Sequence, residues 1–123
     1  MVSKEKDNAI KSKSFSFAIR IVKLYQYLCE TKKEYVFSKQ LLRSGTAIGA
    51  LVREAEYAES KNDFIHKLSI AQKEINETIY WLELLNETGY LTAGQYQSIN
   101  NDAIEIIKLL TSIIKSVKQT INN

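Results

Sequence analysis

The chain contains no proline, and its 123 residues include only four glycines. Proline breaks helix interiors and glycine supplies most tight turns, so a chain nearly without them reverses direction rarely. A sandwich or barrel of many short strands needs a turn signal roughly every 8 to 12 residues, which this sequence does not supply. What remains is an all-α fold of a few long helices. Hydrophobic residues make up 45% and charged residues 25%, values of a globular domain rather than of a disordered or low-complexity chain. The length suits one domain around one core.

Apolar spacing divides the chain into four helices. Phe15, Ala18, Val22, Tyr25 and Cys29 follow the 3,4,4,4 steps of one helix face, which predicts a first helix over 14–32 with that face inward. Residues 1–13 read as a frayed basic N-terminal arm. The second helix begins near Ser38 as N-cap and turns Leu41, Ser44, Ala47, Ile48, Leu51, Ala55 and Ala58 inward, a face of mostly small residues. Ser60 and Asp63 have capping-box spacing before the third helix, which carries Phe64, Leu68, Ala71, Ile75, Leu82 and Leu85 to a stop at Gly89. The fourth opens at Thr92 with Gln95 three residues on, and repeats Tyr96, Ile99, Ala103, Ile106, Leu110, Ile113, Val117 and Ile121. The links are about 5, 2 and 3 residues long, and short links make consecutive helices antiparallel neighbours. The expected domain is an antiparallel up-down-up-down four-helix bundle over 14–121.

Two of these helices carry a second apolar seam. Phe17, Ile21, Leu24 and Leu28 share one side of the first helix, and Ile70, Trp81 and Leu84, with Tyr80 beside them, share one side of the third. The back of the fourth shows Asn101, Lys108, Ser112, Lys115 and Gln119 and reads as a solvent face. A single bundle would expose more large apolar side chains than a lone soluble surface carries. Phe17, Leu24, Leu28, Ile70, Trp81 and Leu84 are therefore the expected contacts with a second copy of the chain. The alternative is one broad core containing both seams.

The N-terminal segment is charged and has no apolar h-region, and no run approaches 18 uninterrupted apolar residues, so the reading expects a cytoplasmic chain with no membrane partner. The formal net charge of +3 is unevenly spread. Residues 1–23 hold six bases against two acids, residues 32–53 five bases against one, and residues 54–105 ten acids against three bases. The first half can face a polyanion; the middle cannot.

Little in the sequence points to catalysis. Cys29, the one cysteine, lies in an apolar helical pattern and reads as a small buried hydrophobe. His66 is the only histidine; its spacing from Asp63 matches half of a di-iron element, without the second half or the further glutamates such a site needs. The phosphate-loop, dinucleotide, CxxC, HExxH and GxSxG patterns are all missing. Glu54, Glu74, Glu77 and Glu83 read as solvated or ion-paired helix positions. No catalytic residue, metal or cofactor is expected.

The unusual segment is Arg43-Ser44-Gly45-Thr46-Ala47-Ile48-Gly49-Ala50-Leu51-Val52-Arg53. A glycine inside a helix costs about 1 kcal/mol relative to alanine, so Gly45 and Gly49 imply a close approach to the backbone. With the small residues phased inward, the two glycines fall on the outer side beside Lys39, Arg43 and Arg53. Either a helix packs there, or a phosphate backbone lies over a small-residue surface edged with arginine forks.

The run Lys39-Gln40-Leu41-Leu42-Arg43-Ser44-Gly45-Thr46-Ala47-Ile48-Gly49-Ala50, with Val52-Arg53-Glu54-Ala55, Ser60-Lys61, Asp63-Phe64 and the later Trp81-Leu82-Glu83-Leu84-Leu85, resembles the "four helix bundle protein" family. Lys13-Ser14-Phe15 and Phe17-Ala18 extend the likeness, which covers about residues 8–118. That family includes proteins encoded by intervening sequences within bacterial 23S ribosomal RNA genes, sometimes labelled S23 ribosomal proteins. The resemblance implies a homopentameric, barrel-like assembly without established enzymatic activity. A related group looks like the accessory proteins of diversity-generating retroelements, which bind a reverse transcriptase and nucleic acid. This chain is only mildly basic, with a pI near 8.9, which makes the intervening-sequence branch the closer match. The leading expectation is a non-enzymatic oligomeric scaffold that contacts RNA or another nucleic acid through Lys39, Arg43 and Arg53. Its alternatives are a module for binding a protein partner, and an enzyme whose site is shared between subunits.

Overall fold

A computed structural model of the chain describes residues 4–122. It is a four-helix bundle with the order α1 (Lys4–Glu30), α2 (Phe37–Ala55), α3 (Lys61–Glu87) and α4 (Ala93–Asn122). Among the described residues there is no strand. Each helix packs on two neighbours, α1 on α2, α2 on α3, α3 on α4 and α4 on α1, with the α1–α4 side the sparsest. Polar bonds span that sparse side. Lys6 Nζ donates to Ser112 Oγ at 2.7 Å, Lys13 pairs with Glu105 at 2.5 Å, and Arg20 pairs with Asp102 at 2.6 Å. Their descending partner numbers show that α1 and α4 run antiparallel.

The first helix starts far earlier than its apolar spacing suggested. Residues 4–13 are helical rather than a frayed arm, and residues 1–3 of the expected arm lie outside the described residues. Glu5 and Asp7 stand in the first turn, where negative charge favours a helix N-terminus. Ile10 anchors this segment in the core at 3% exposure. Lys11 ties it to Glu56 at 3.1 Å.

Ile10 also marks which side of α1 is buried. Ile10, Ser14, Phe17, Ile21 and Leu28 face the core, and Phe15, Ile19 and Val22 face outward at 51%, 42% and 38% exposure. The expected rotation is thus reversed. Phe17 and Leu28, assigned to contacts between copies, are core residues, and Leu24 is partly buried against the same core. The two seams have the same period, so spacing between 14 and 32 cannot rank them. Extending the helix back to Ile10 lengthens only the Phe17 seam.

Helix α2 buries Ser38, Leu41, Ser44, Gly45, Ile48, Val52 and Ala55. This face is turned slightly from the expected one, and it brings the glycines inward toward α1. A Cβ at Gly45 would lie 2.7 Å from Ile21 Cγ1, and one at Gly49 would lie 3.3 Å from the Ser14 carbonyl oxygen. The missing side chains let α1 approach closely and seat Ile21 against bare backbone. One buried polar contact crosses to the next helix, where the Thr78 and Ser44 hydroxyl oxygens lie 2.9 Å apart. Thr78 also bonds the Glu74 carbonyl within its own helix.

The later caps follow the sequence signals. Ser60 Oγ accepts from the Asp63 amide at 3.0 Å, and Asp63 Oδ2 accepts from the Glu59 amide at 3.1 Å. Gly89 ends the α3 turn with φ +85, a conformation that suits glycine. Thr92 and Gln95 cap α4 reciprocally, at 2.9 and 3.1 Å.

The Gly45 contact has a measurable signature. Alanine at position 45 gains about 1 kcal/mol of helix propensity but overpacks Ile21 by about 1–3 kcal/mol. Gly45→Ala is expected to lower stability in urea unfolding, and the loss should vanish in an Ile21→Ala background, where the clash is removed. A Gly45→Ala protein more stable than the parent would contradict the contact.

Candidate nucleic-acid interface

The three bases assigned to phosphate lie exposed within about 80° of one another around the α2 axis, but their side chains turn to different neighbours. Lys39 is exposed and belongs to no ion pair among the described residues. Arg43 leans toward α3, where Nη1 meets Glu74 Oε2 at 3.2 Å and Nη2 meets Glu77. Its Nε donates to Gln40 Oε1 at 3.4 Å. Arg53 lies ten residues on, about 80° around the helix axis, and holds its guanidinium 4.9 Å from the centre of the Phe15 ring on α1. Arg43 and Arg53 therefore diverge to opposite neighbours. Within the chain, Lys11 pairs with Glu56 and Lys67 with Glu54, the latter at 3.9 Å.

Arg43 heads a polar chain that also fixes Trp81. Glu77 Oε2 accepts from Trp81 Nε1 at 2.9 Å, so one carboxylate serves both the guanidinium and the indole. Phe37 stacks on the Trp81 ring with centroids 6.1 Å apart, and Tyr80 meets its edge at 5.0 Å. Trp81 is thus covered in part by its own chain. Ile70 and Leu84 are partly buried, whereas Tyr80 is 55% exposed.

Unpaired charge also gathers at the turn between α1 and α2, the start of the basic stretch 32–53, where of these lysines only Lys39 was singled out from the sequence. Lys32, Lys33 and Lys39 are all exposed there, and none is in an ion pair among the described residues. Tyr35 is 54% and Val36 69% exposed. The one acid of residues 31–39, Glu34, turns inward to 6% exposure. Its Oε1 accepts from the amides of Val36 and Phe37 at 3.0 and 2.7 Å, and its Oε2 from that of Ser38 at 2.8 Å. Ser38, expected as N-cap, is instead buried, and its hydroxyl donates to the Glu34 carbonyl at 2.9 Å. Burial alone would raise the Glu34 carboxyl, but the amides of Phe37, Ser38 and Val36 outweigh it and hold the group below the ordinary carboxylate value. The signal available in the sequence was the Lys-Lys-x-Tyr run at 32–35.

At the other end of the bundle a cleft of about 350 Å³ opens between Asp7, Lys11 and Glu56, floored by Ile10, Val52, Phe64 and Ile113. Burial pushes the Asp7 carboxyl up. Asp63, the acid of the half di-iron spacing, is spent on capping α3, and His66 is exposed. Among the described residues, no group of three His, Cys, Asp or Glu side chains is placed to hold a metal ion.

A family model described as "23S rRNA-intervening sequence protein" matches residues 6–112. The chain belongs to that family. Membership fits the fold, since a solved member of the S23 ribosomal protein family superposes on it closely. That structure, from Bacteroides thetaiotaomicron VPI-5482 and described as a protein with unknown function, is 64% identical and aligns with a TM-score of 0.89. The alignment covers 89% of this chain and 98% of that one. Among curated proteins, none matches. Neither the family's description nor the neighbour's names a reaction. No helix among the described residues is long and apolar enough to cross a membrane.

Glu34 gives this end of the bundle a pH dependence of known sign. Its depressed carboxyl contributes stability that is full above the ordinary carboxylate value and is lost as pH falls through the lower folded-state value. Glu34→Gln is expected to cost about 1–3 kcal/mol at pH 7 and to flatten the fall in stability below about pH 4. Parallel pH profiles for parent and variant would contradict the capping role.

Proposed function

We propose that this family member is a non-enzymatic cytoplasmic scaffold that assembles with copies of itself and carries RNA on its basic surface. The observation that carries the assembly is the outward stripe of α1, where Phe15, Ile19 and Val22 stand exposed around Ala18. Exposed apolar side chains adjacent on two helical turns mark a contact surface. A second copy is the occupant, and five copies is the number that the family resemblance implies. The stripe replaces Phe17 and Leu28 in that role.

RNA is supported by the charge. The bases of residues 32–53 outnumber their acids, and the acids concentrate in residues 54–105. An assembly repeats each basic patch once per subunit, and repetition turns a weak site into an avid one.

Phe15→Asp combined with Ile19→Asp is expected to shift the assembly to monomers in native mass spectrometry at micromolar concentration, with helix content unchanged. Each apolar side chain withdrawn from the interface is worth about 1.5–3 kcal/mol, so dissociation should strengthen by well over about ten-fold. A parent protein that is itself monomeric there would end the assembly reading. Filter binding of RNA by the parent should weaken steeply with salt through counterion release. No binding at low salt, or binding indifferent to salt, would favour the protein-binding module instead.

A further inference from the structure

We propose that the α1–α2 turn is a stacking platform for single-stranded nucleic acid, with Tyr35 receiving a base and Lys32, Lys33 and Lys39 its phosphates. This rests on the RNA reading above and names the surface that reading lacks, since Arg43 and Arg53 are engaged within the chain.

Three independent features converge on the turn. The first is the unbalanced charge. Lys11, Lys13, Arg20 and Arg43 each meet a carboxylate, whereas Lys32, Lys33 and Lys39 meet none among the described residues. Glu34, the acid among them, faces inward with its charge taken up by three backbone amides. The second is the uncovered ring. Tyr35 is 54% exposed and has no aromatic neighbour among the described residues, and Val36 beside it is exposed further. A flat ring flanked by lysines suits an unpaired base and its backbone. A duplex hides its base faces and offers such a ring nothing to stack on.

The third is strain. Lys33 has φ 55, and it is the one residue other than glycine with positive φ among those described. This left-handed position closes α1, where the Glu34 amide bonds the Leu28 carbonyl at 3.0 Å, and glycine or asparagine is the usual occupant. Lysine there gives up stability and keeps a charge at the turn, the pattern expected where a binding role retains a strained residue. The Glu34 amide bonds hold the platform rigid between two long helices, so little ordering is needed on binding.

Anisotropy titrations of the full chain with a fluorescent, unstructured 20-nucleotide adenosine strand test the assignment. Tyr35→Ala is expected to weaken binding by about 5- to 150-fold with an unchanged salt slope, and Tyr35→Phe to retain it. Lys32→Ala with Lys39→Ala should weaken binding and lower the log–log salt slope by about 0.7 for each phosphate no longer neutralised. Lys33→Gly separates function from folding, because it should raise the unfolding midpoint and weaken binding together. If the parent binds and all these variants bind equally well, the turn is not the surface although the RNA reading stands. If a duplex of the same length competes as well as the single strand, the stacking role is wrong. If the parent binds no strand at low salt, both readings fall, and an acidic peptide that binds in its place marks the turn as a protein contact.

Discussion

The contact between Ile21 and the bare backbone at Gly45 sets the rotation of α1, and most of the molecule follows from that rotation. With 2.7 Å between an imagined Cβ and Ile21 Cγ1, no larger residue fits without displacing a stiff, β-branched core side chain. Ile21 turned inward carries Ile10, Ser14, Phe17 and Leu28 with it, because all lie on one helical stripe. The opposite stripe then faces outward, and Phe15, Ile19 and Val22 stand exposed on it. Arg53 shields one face of Phe15 and leaves the rest of the stripe open. The surface proposed for self-association is therefore a consequence of two glycines on a different helix.

The same economy governs charge. Along the bundle, Lys11 pairs with Glu56, Lys13 with Glu105, Arg20 with Asp102, and Arg43 with Glu74 and Glu77. Exposed pairs of this kind contribute little stability each, but they neutralise the flanks and fix helix register. At the α1–α2 turn the local acid, Glu34, is used on backbone amides, and Lys32, Lys33 and Lys39 pair with no carboxylate among the described residues. Local folding chemistry, the need to cap α2, thereby leaves a basic, aromatic tip. A helix start fastened by a carboxylate and the unpaired lysines of the proposed platform are two results of one glutamate turning inward.

Much of this was legible in the sequence, and the failures have definite causes. The absence of proline, the Thr92–Gln95 and Ser60–Asp63 caps and the Gly89 stop give α3 and α4 their bounds nearly as found. The inward faces of α3 and α4 also follow from spacing, with Phe64, Leu68, Ala71, Ile75, Leu82 and Leu85 buried on α3 and Ile99, Ala103, Ile106, Leu110, Ile113 and Val117 on α4. Helix α1 has two stripes of equal period, and only Ile10, set aside with the basic arm, distinguishes them. The cap of α2 was hidden because the capping group is a glutamate three residues before the helix, where a rule based on serine at the boundary points to Ser38. Arg43, Gly45, Gly49 and Arg53 were recognised as a unit from their neighbourhood in sequence. Phase separates them: the glycines face α1, Arg43 faces α3, and Arg53 reaches over Phe15.

The rotation of α1 and the use of its outer stripe can be read together from thiol labelling rates. Single cysteines would be placed in turn at positions 19, 21 and 104 of a Cys29→Ser protein and labelled with maleimide from nanomolar to tens of micromolar concentration. The account expects position 21 to be slow throughout and position 104, exposed on α4 at 38%, to be fast throughout. Position 19 should be fast when dilute and become protected as concentration rises. Rapid labelling at 21 with protection at 19 in dilute solution would reverse the rotation, and a rate at 19 that never changes with concentration would contradict self-association through this stripe.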